Sequence, residues 1–247
     1  MRTFGLVGYP LSHSFSKRYF SDKFEKEQIT DCKYELYPIE ETSDMMDLIR
    51  VKPLLCGLNV TIPHKVGVIP YLNELDAAAK EIGAVNCISI DQSGAEIILK
   101  GYNTDAFGFA KSLTPLLEKH HEKALILGDG GAAKAVKYVL KQLQIPFLSV
   151  VRNPQSNAIL YSEVNAQILE EYKILINTTP LGMLPNIASC PLIPYQHLGI
   201  KHLVYDLVYN PEETLFLANA KQQEAKIKNG MEMLVLQAER SWEIWNT

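Results

Sequence analysis

Short hydrophobic runs alternate with stretches of helical periodicity along almost the whole chain. Thr3–Val7 and Leu54–Val60 are apolar runs of strand length. Between them, Tyr19, Phe20 and Phe24 recur at the steps that place side chains on one face of a helix. A repeated strand–helix order predicts parallel sheets joined by right-handed crossovers.

The same periodicity predicts the secondary structure of most of the chain. The predicted strands are Thr3–Val7, Lys33–Ile39, Leu54–Val60, Ala84–Ile90, Glu96–Gly101, Lys123–Leu127, Pro146–Val151, Ile174–Asn177 and His202–Leu207. The predicted helices are Ser16–Glu27, Thr42–Arg50, Ala77–Ile82, Thr104–Glu118, Gly130–Leu143 and Met231–Thr247. Turn-forming residues at 91–94 predict a hairpin between two of the strands. The alternation restarts after residues 104–120, so two α/β domains fit better than one.

Composition excludes several classes of protein. The chain has 247 residues and a net charge of −4, whereas nucleic-acid and membrane-surface proteins need a basic field. Mean hydropathy is −0.03, and no apolar run approaches the length of a membrane span. The four cysteines form no CxxC pair, so we expect no metal site and a reducing, cytoplasmic location.

A glycine-rich turn carries the strongest chemical signal. Residues 128–133 read Gly-Asp-Gly-Gly-Ala-Ala between a predicted strand and a predicted helix, and fit the pattern G-x-G-x-x-G/A. Gly128 permits the tight turn, Gly130 lets a pyrophosphate approach the backbone, and Ala133 lets the helix pack close to the sheet. The helix N-terminus would then hold the phosphates, which predicts a dinucleotide site.

The next strand end indicates which dinucleotide is bound. An NAD enzyme would place an acid about 20 residues after the turn, but Arg152 stands there instead. A guanidinium suits a ribose 2′-phosphate, so we favour NADP over a reading of Arg152 as an ordinary surface arginine. Asp129 conflicts with this preference, because a carboxylate beside a polyanion weakens binding unless it points away or accepts donors.

Polar residues also mark strand ends in the first block. Ser14 and Ser16 begin a predicted helix, where they could receive a carboxylate or simply cap the helix. Asn59 and Thr61 could hydrogen-bond substrate hydroxyls. Lys65 follows the same strand and could transfer a proton, although most lysines are solvated surface charges.

Asp105 falls at the predicted domain junction, where a ligand crevice is expected. An acid in the first turn of a helix is also favoured there by the helix dipole alone.

Taken together, these segments resemble the shikimate/quinate dehydrogenase family, in the family's order from Gly8 to Gln237. The resemblance rests on residues 14–16, 59–65, 83–86, 101–105, 128–133, 177–183, 206–211 and 230–234, together with 237–238. It implies an N-terminal substrate-binding domain over 1–104, completed by the C-terminal helix 231–247. It also implies a Rossmann-like NADP-binding domain over 105–230.

The resemblance implies NADP-dependent, reversible reduction of 3-dehydroshikimate to shikimate, a step toward the aromatic amino acids. The implied partners are this small-molecule substrate and NADP, with no nucleic acid and no membrane, in a monomer or homodimer. Two alternatives stay open: a quinate or dual-substrate dehydrogenase using NAD, and a non-catalytic dinucleotide-binding module on the same fold.

The resemblance also assigns residues to roles. Lys65 and Asp105 would form the catalytic pair. Residues that would hold the substrate are Ser14, Ser16, Thr61, Asn86, Asp105, Tyr209 and Gln237, with Asn59 as an additional contact. Residues that would hold the cofactor are Gly128, Gly130, Gly131, Ala132, Arg152 and Gly230. The loop 177–183 would line the nicotinamide side. The family's Asn-Arg-Thr triplet is Val151-Arg152-Asn153 here, so only its arginine is kept.

Overall fold

The computed structural model of the protein describes residues 1–11 and 14–247. The chain divides into two compact units, one formed by residues 1–104 and 238–247 and the other by residues 105–237. Each unit contains its own sheet with helices, which confirms the predicted pair of α/β domains. The boundary between residues 237 and 238 falls inside the C-terminal helix, so that helix contributes residues to both units.

The strands are β1 (Arg2–Gly8), β2 (Cys32–Pro38), β3 (Leu55–Val60), β4 (Glu74–Leu75), β5 (Cys87–Asp91), β6 (Ile98–Tyr102), β7 (Ala124–Leu127), β8 (Phe147–Val151), β9 (Ala158–Leu160), β10 (Ile174–Asn177), β11 (Leu203–Asp206) and β12 (Lys226–Lys228). The helices are α1 (Phe15–Lys26), α2 (Asp44–Val51), α3 (Ala77–Ile82), α4 (Thr104–Leu113), α5 (Gly131–Gln142), α6 (Ala166–Glu171), α7 (Leu215–Lys221) and α8 (Met231–Trp245).

The first sheet has the order β2-β1-β3-β5-β6-β4 and is mixed. Strands β2, β1 and β3 are parallel, while β5 runs antiparallel to both β3 and β6. The predicted hairpin is therefore confirmed as β5–β6. The expectation of a parallel sheet holds only for part of this unit, because a hairpin reverses the chain direction.

The second sheet has the order β12-β11-β10-β7-β8-β9, and all its pairs are parallel. The strand order reverses between β7 and β10, since β8 and β9 extend the sheet on one side of β7 and the later strands extend it on the other. This is the doubly wound arrangement in which ligands bind beyond the carboxyl ends of the strands at the switch point. The glycine-rich turn leaves β7 at that point.

An aromatic cluster attaches the end of α8 to the first sheet. The ring of Trp245 stacks on Phe4 at 4.9 Å between centroids, and its indole N–H donates to the Ile88 carbonyl at 3.0 Å. Phe20 of α1 stacks on Tyr34 of β2 at 4.6 Å within the same cluster. Burial of each such side chain contributes about 1.5–3 kcal/mol, so residues 238–247 are held firmly to this unit.

Three features of the elements differ from the pattern-based prediction. Helix α4 ends at Leu113 rather than Glu118, because Pro115 has no N–H to donate to the carbonyl four residues before it, and residues Thr114–Leu116 form a 3-10 turn instead. The structure also adds strands β4, β9 and β12, which have two or three residues each and are too short to show alternation. The structure also adds the short helices α6 and α7, which the prediction missed. Their sequence signal is the N-cap residue of each, Asn165 and Thr214.

Within the described ranges 1–11 and 14–247, the structure contains no helix that combines the length and the apolar character required to cross a bilayer.

Candidate functional site

The glycine-rich turn has the backbone that a dinucleotide site requires. Gly128 adopts φ +102°, and a Cβ there would lie 2.6 Å from Cγ2 of Thr179, so only glycine fits. A Cβ on Gly130 or Gly131 would meet nothing within 4 Å. The first N–H groups of α5 therefore lie next to open space, at the N-terminus of a twelve-residue helix, where the helix dipole is positive. These residues fit a bound pyrophosphate.

A cleft of about 440 Å³ opens at the carboxyl ends of β7, β8 and β10, at the switch point of the second sheet. Its lining residues are Gly128, Asp129, Gly130, Val151, Arg152, Asn153, Gln155, Tyr161, Thr178, Thr179, Pro180 and Leu181. Such a volume is within the range of small-molecule and cofactor sites. Arg152 and the glycines thus line one cleft, whereas the assignment of Arg152 to a 2′-phosphate stays a prediction.

Asp129, the residue that conflicts with a polyanion, is engaged by donors. Lys137 of α5 forms an ion pair with its Oδ1, and Nε2 of Gln155 donates to its Oδ2 at 3.2 Å. The sequence left this question open, because the partners lie 8 and 26 positions away. The carboxylate is therefore stabilised by its own neighbours.

Buried polar groups fix the opposite wall of the cleft. Oδ1 of Asn177 accepts from the backbone N–H of Thr179 at 3.0 Å and from its hydroxyl at 2.6 Å. Nδ2 of Asn177 donates to Asp206 Oδ1 at 2.9 Å, and Thr214 donates to Asp206 Oδ2 at 2.6 Å. Asp206 is fully buried, and that burial raises the pKa of its carboxyl to about 6 against three opposing hydrogen bonds.

This support for the 177–183 loop was missed by sequence reasoning. Asp206 belongs to a segment that carried the family resemblance, yet no role was predicted for it or for Thr214. The sequence signal for this support was that two apolar strands each end in a polar residue, Asn177 and Asp206. The register pairs them directly across β10 and β11.

Packing explains why residue 230 is glycine. A Cβ there would overlap the Leu207 carbonyl, and the Gly230 N–H donates to the Val208 carbonyl at 3.1 Å. Its predicted cofactor contact stays a prediction. Tyr209 is half-buried on the connection from β11 to α7, and burial raises the pKa of its hydroxyl.

In the first unit, the predicted substrate amides belong to a buried hydrogen-bond network. Asn59 accepts from the Tyr34 hydroxyl at 2.8 Å and donates to the Ser241 hydroxyl at 2.9 Å. Asn86 accepts from the Thr104 backbone N–H at 2.6 Å and donates to its hydroxyl at 3.0 Å. Both amides are more than 95% buried. Their first role is to join β3, β5 and the start of α4 to the C-terminal helix.

The two predicted substrate serines also have structural roles. Ser14 caps α1 and accepts from the Lys17 backbone N–H at 3.3 Å, which is the capping alternative named above. Ser16 lies in the first turn of α1, and its interaction with the Tyr34 hydroxyl opposes the rise that burial causes in the pKa of Tyr34. A capping hydroxyl accepts one bond and keeps its proton for a ligand, so capping and substrate binding are compatible at Ser14.

A rigid turn after β3 carries Thr61 and Lys65. The Thr61 N–H donates to the Val7 carbonyl at 2.9 Å, and the Lys65 carbonyl accepts from the Val85 N–H at 2.8 Å. Between them, His64 is buried with its ring nitrogens 2.8 Å from the Thr42 hydroxyl and 2.8 Å from the Ile39 carbonyl. No role was predicted for His64, which fixes the turn from beneath. The Lys65 side chain is half-buried.

In the second unit, Asp105 and Gln237 lie on two helices in close contact. Asp105 is half-buried in the first turn of α4. One turn further on, a Cβ at Gly108 would lie 3.1 Å from the Gln237 backbone N and would overlap the Met233 carbonyl. Gln237 is buried, and its Nε2 donates to the Leu234 carbonyl at 2.9 Å. The convergence of Lys65 with Asp105 stays a prediction.

The chain is similar to proteins of established name over nearly its whole length. A family model described as the shikimate dehydrogenase substrate binding domain matches residues 6–88. A shikimate dehydrogenase (NADP(+)) of Methanosphaera stadtmanae is 34% identical, over 98% of this chain and 90% of that protein.

Solved structures agree with the sequence comparison. A chorismate mutase/shikimate 5-dehydrogenase fusion protein from Clostridium acetobutylicum is 36% identical with a TM-score of 0.85, over 100% of this chain and 91% of that chain. Shikimate 5-dehydrogenase from Thermus thermophilus, in complex with NADP(H) and shikimate, is 28% identical with a TM-score of 0.85, over 99% of this chain and 93% of that chain.

Proposed function

We propose, since the chain belongs to the shikimate dehydrogenase family, that it catalyses the NADP-dependent, reversible reduction of 3-dehydroshikimate to shikimate. The observation that carries this proposal is the cleft at the switch point, which places an open glycine turn and Arg152 on the same surface. Bound NADP would supply or accept the hydride. The alternative of a quinate dehydrogenase using NAD is less favoured, because the relatives are named for NADP.

The second unit would hold the cofactor. The first N–H groups of α5, with Gly130, Gly131 and Ala132, would bind the pyrophosphate without interference from side chains. Arg152 would bind the 2′-phosphate through its planar fork of donors. Loop 177–183, fixed through Asn177 and Asp206, would close the nicotinamide side.

The first unit would hold most of the substrate. Ser14 has a hydroxyl proton to give to the substrate carboxylate while it caps α1. Thr61 and Asn86 stand on connections held by backbone hydrogen bonds, so they would meet the ring hydroxyls with little loss of conformational freedom. Tyr209 and Gln237 of the second unit would complete the set.

Lys65 would carry the proton transfer. Negative charge develops on the ketone oxygen as the hydride arrives, so an acid must stand within about 3 Å of it. Lys65 would give the proton in reduction and take it back in oxidation. Asp105 would orient the ammonium group and the substrate hydroxyl. The fixed turn at 61–68 favours this role, because a catalytic group must be held in place.

Absorbance of reduced nicotinamide tests the proposal. Purified protein mixed with shikimate and NADP should form NADPH, faster than any of the other pairings of shikimate or quinate with NADP or NAD. Absence of NADPH formation, or activity with quinate and NAD alone, would overturn it.

Lys65→Met tests the catalytic assignment in the same assay. It should lower kcat by about 100-fold or more, the usual range for loss of a general acid, with little change in the KM for shikimate. Lys80→Met, an exposed lysine of α3 in the same unit, is the matched control and should behave as wild type. A raised KM at unchanged kcat would assign Lys65 to binding instead.

A further inference from the structure

Asp129 occupies the variable position of the glycine turn and faces the same cleft as Arg152. Its two carboxylate oxygens accept from different elements, Oδ1 from Lys137 of α5 and Oδ2 from Gln155. The side chains of Asp129 and Lys137 are 29% and 26% exposed. Asp129 is exposed as a residue and Lys137 is half-buried, so solvent screens their attraction only in part.

The charge on Asp129 matters because the cleft must accept a polyanion. An unpaired carboxylate between Gly128 and Gly130 would repel the phosphates that the helix N-terminus attracts. Lys137 brings the local charge of the turn back to zero without standing among the first N–H groups of α5. The lysine can therefore act on phosphate binding through Asp129.

The bond to Gln155 gives Asp129 a second effect. Residues 152–157 connect β8 to β9, and both Arg152 and Gln155 belong to this connection. The Gln155–Asp129 hydrogen bond ties the connection to the glycine turn, on the side of the cleft where Arg152 stands. Asp129 thus constrains the loop whose arginine would contact the 2′-phosphate.

We infer that Lys137 is a specificity-determining positioning residue for NADP: it neutralises Asp129 and keeps that carboxylate bound to Gln155 and away from the cofactor. This inference rests on the proposed function. Without Lys137, the charge of Asp129 is uncompensated in the cleft that Arg152 also lines, so it repels the 2′-phosphate of NADPH in addition to the pyrophosphate that both cofactors carry. Loss of Lys137 therefore penalises NADPH more than NADH.

Fluorescence titration of NADPH and NADH measures the effect directly. Lys137→Met should weaken NADPH binding by about tenfold, as expected for one uncompensated charge near a phosphate, and NADH binding by less than half that factor. Lys137→Arg should retain the affinity. Asp129→Asn combined with Lys137→Met should bind NADPH within about twofold of Asp129→Asn alone, because the repelling charge is gone.

Two controls separate this effect from a structural one. Lys141→Met removes the same charge from the last turn of α5 and should leave both affinities unchanged. The deficit of Lys137→Met should shrink as ionic strength rises from about 0.05 to about 0.5 M, because salt screens repulsion. Thermal unfolding verifies the fold, and the double variant provides the test if Lys137→Met is unstable.

The outcomes distinguish this inference from the proposed function. A wild-type protein that fails to bind NADPH overturns both. Wild-type binding with unchanged affinity in Lys137→Met overturns the inference alone. Equal losses of NADPH and NADH, or a deficit that persists in the double variant, would also overturn it.

Discussion

At the scale of single residues, buried polar groups hold the loops that would meet the ligands. Asp206 receives hydrogen bonds from Asn177, Thr214 and the Val208 N–H at the end of β11. Desolvation outweighs these bonds and raises the pKa of its carboxyl to about 6. The folded chain therefore binds this proton more tightly than the unfolded chain, for which the ordinary value is 3.8.

The pH dependence follows from that difference. The contribution of Asp206 to stability is fully present below about pH 4 and is lost as pH rises through about 6. The free energy of unfolding of wild type, relative to Asp206→Asn, should thus fall by at most about 3 kcal/mol between pH 4 and 7. Denaturant titrations of both proteins across this range measure it. Parallel pH profiles would contradict the expectation.

At the scale of elements, helix α4 is fixed by contacts along its length. Ser112 hydrogen-bonds the Tyr205 hydroxyl of β11 at 2.7 Å, and Phe109 meets the same ring edge-on. Elsewhere on α4, Gly108 has no side chain, which lets the backbone of α8 approach at Met233 and Gln237. The crossing point thereby sets where Asp105 stands relative to Gln237.

Gly108→Ala tests this crossing. In an open helix the change to alanine would stabilise by up to about 1 kcal/mol, but here the new Cβ overlaps backbone atoms that belong to α8. We expect a net destabilisation of about 1–3 kcal/mol and a raised KM for shikimate, measured by unfolding and kinetics. Gly199→Ala is the control, because its Cβ would have only an ordinary 4.0 Å contact. Greater stability for Gly108→Ala would refute the close crossing.

At the scale of the whole molecule, each unit has its own sheet and core, and the cleft with Arg152 belongs to the second unit. Binding of a ligand to the folded state alone stabilises that state by mass action, by about 2.7 kcal/mol when the ligand is at about 100 times its Kd. The difference between the rises in Tm produced by NADP and by NAD therefore measures cofactor preference without any catalytic turnover.

Arg152→Ala should reduce the rise in Tm produced by NADP more than the rise produced by NAD, because only NADP carries the 2′-phosphate. Differential scanning fluorimetry with each cofactor measures both shifts. Arg18→Ala removes an exposed arginine of the first unit and should leave both shifts unchanged. Equal reductions for the two cofactors would remove the argument for a 2′-phosphate contact at Arg152.

Local pattern alone determined the two α/β blocks, the strand–turn–helix around Gly128 and the β5–β6 hairpin, because periodicity and turn chemistry act over a few residues. The sequence also indicated the early end of α4, through Pro115. The charge partners of Asp129, the hydrogen bonds of Asp206 and the approach of α8 to Gly108 depended on the tertiary structure. These contacts join residues far apart in the chain, and only packing decides which distant polar groups satisfy one another.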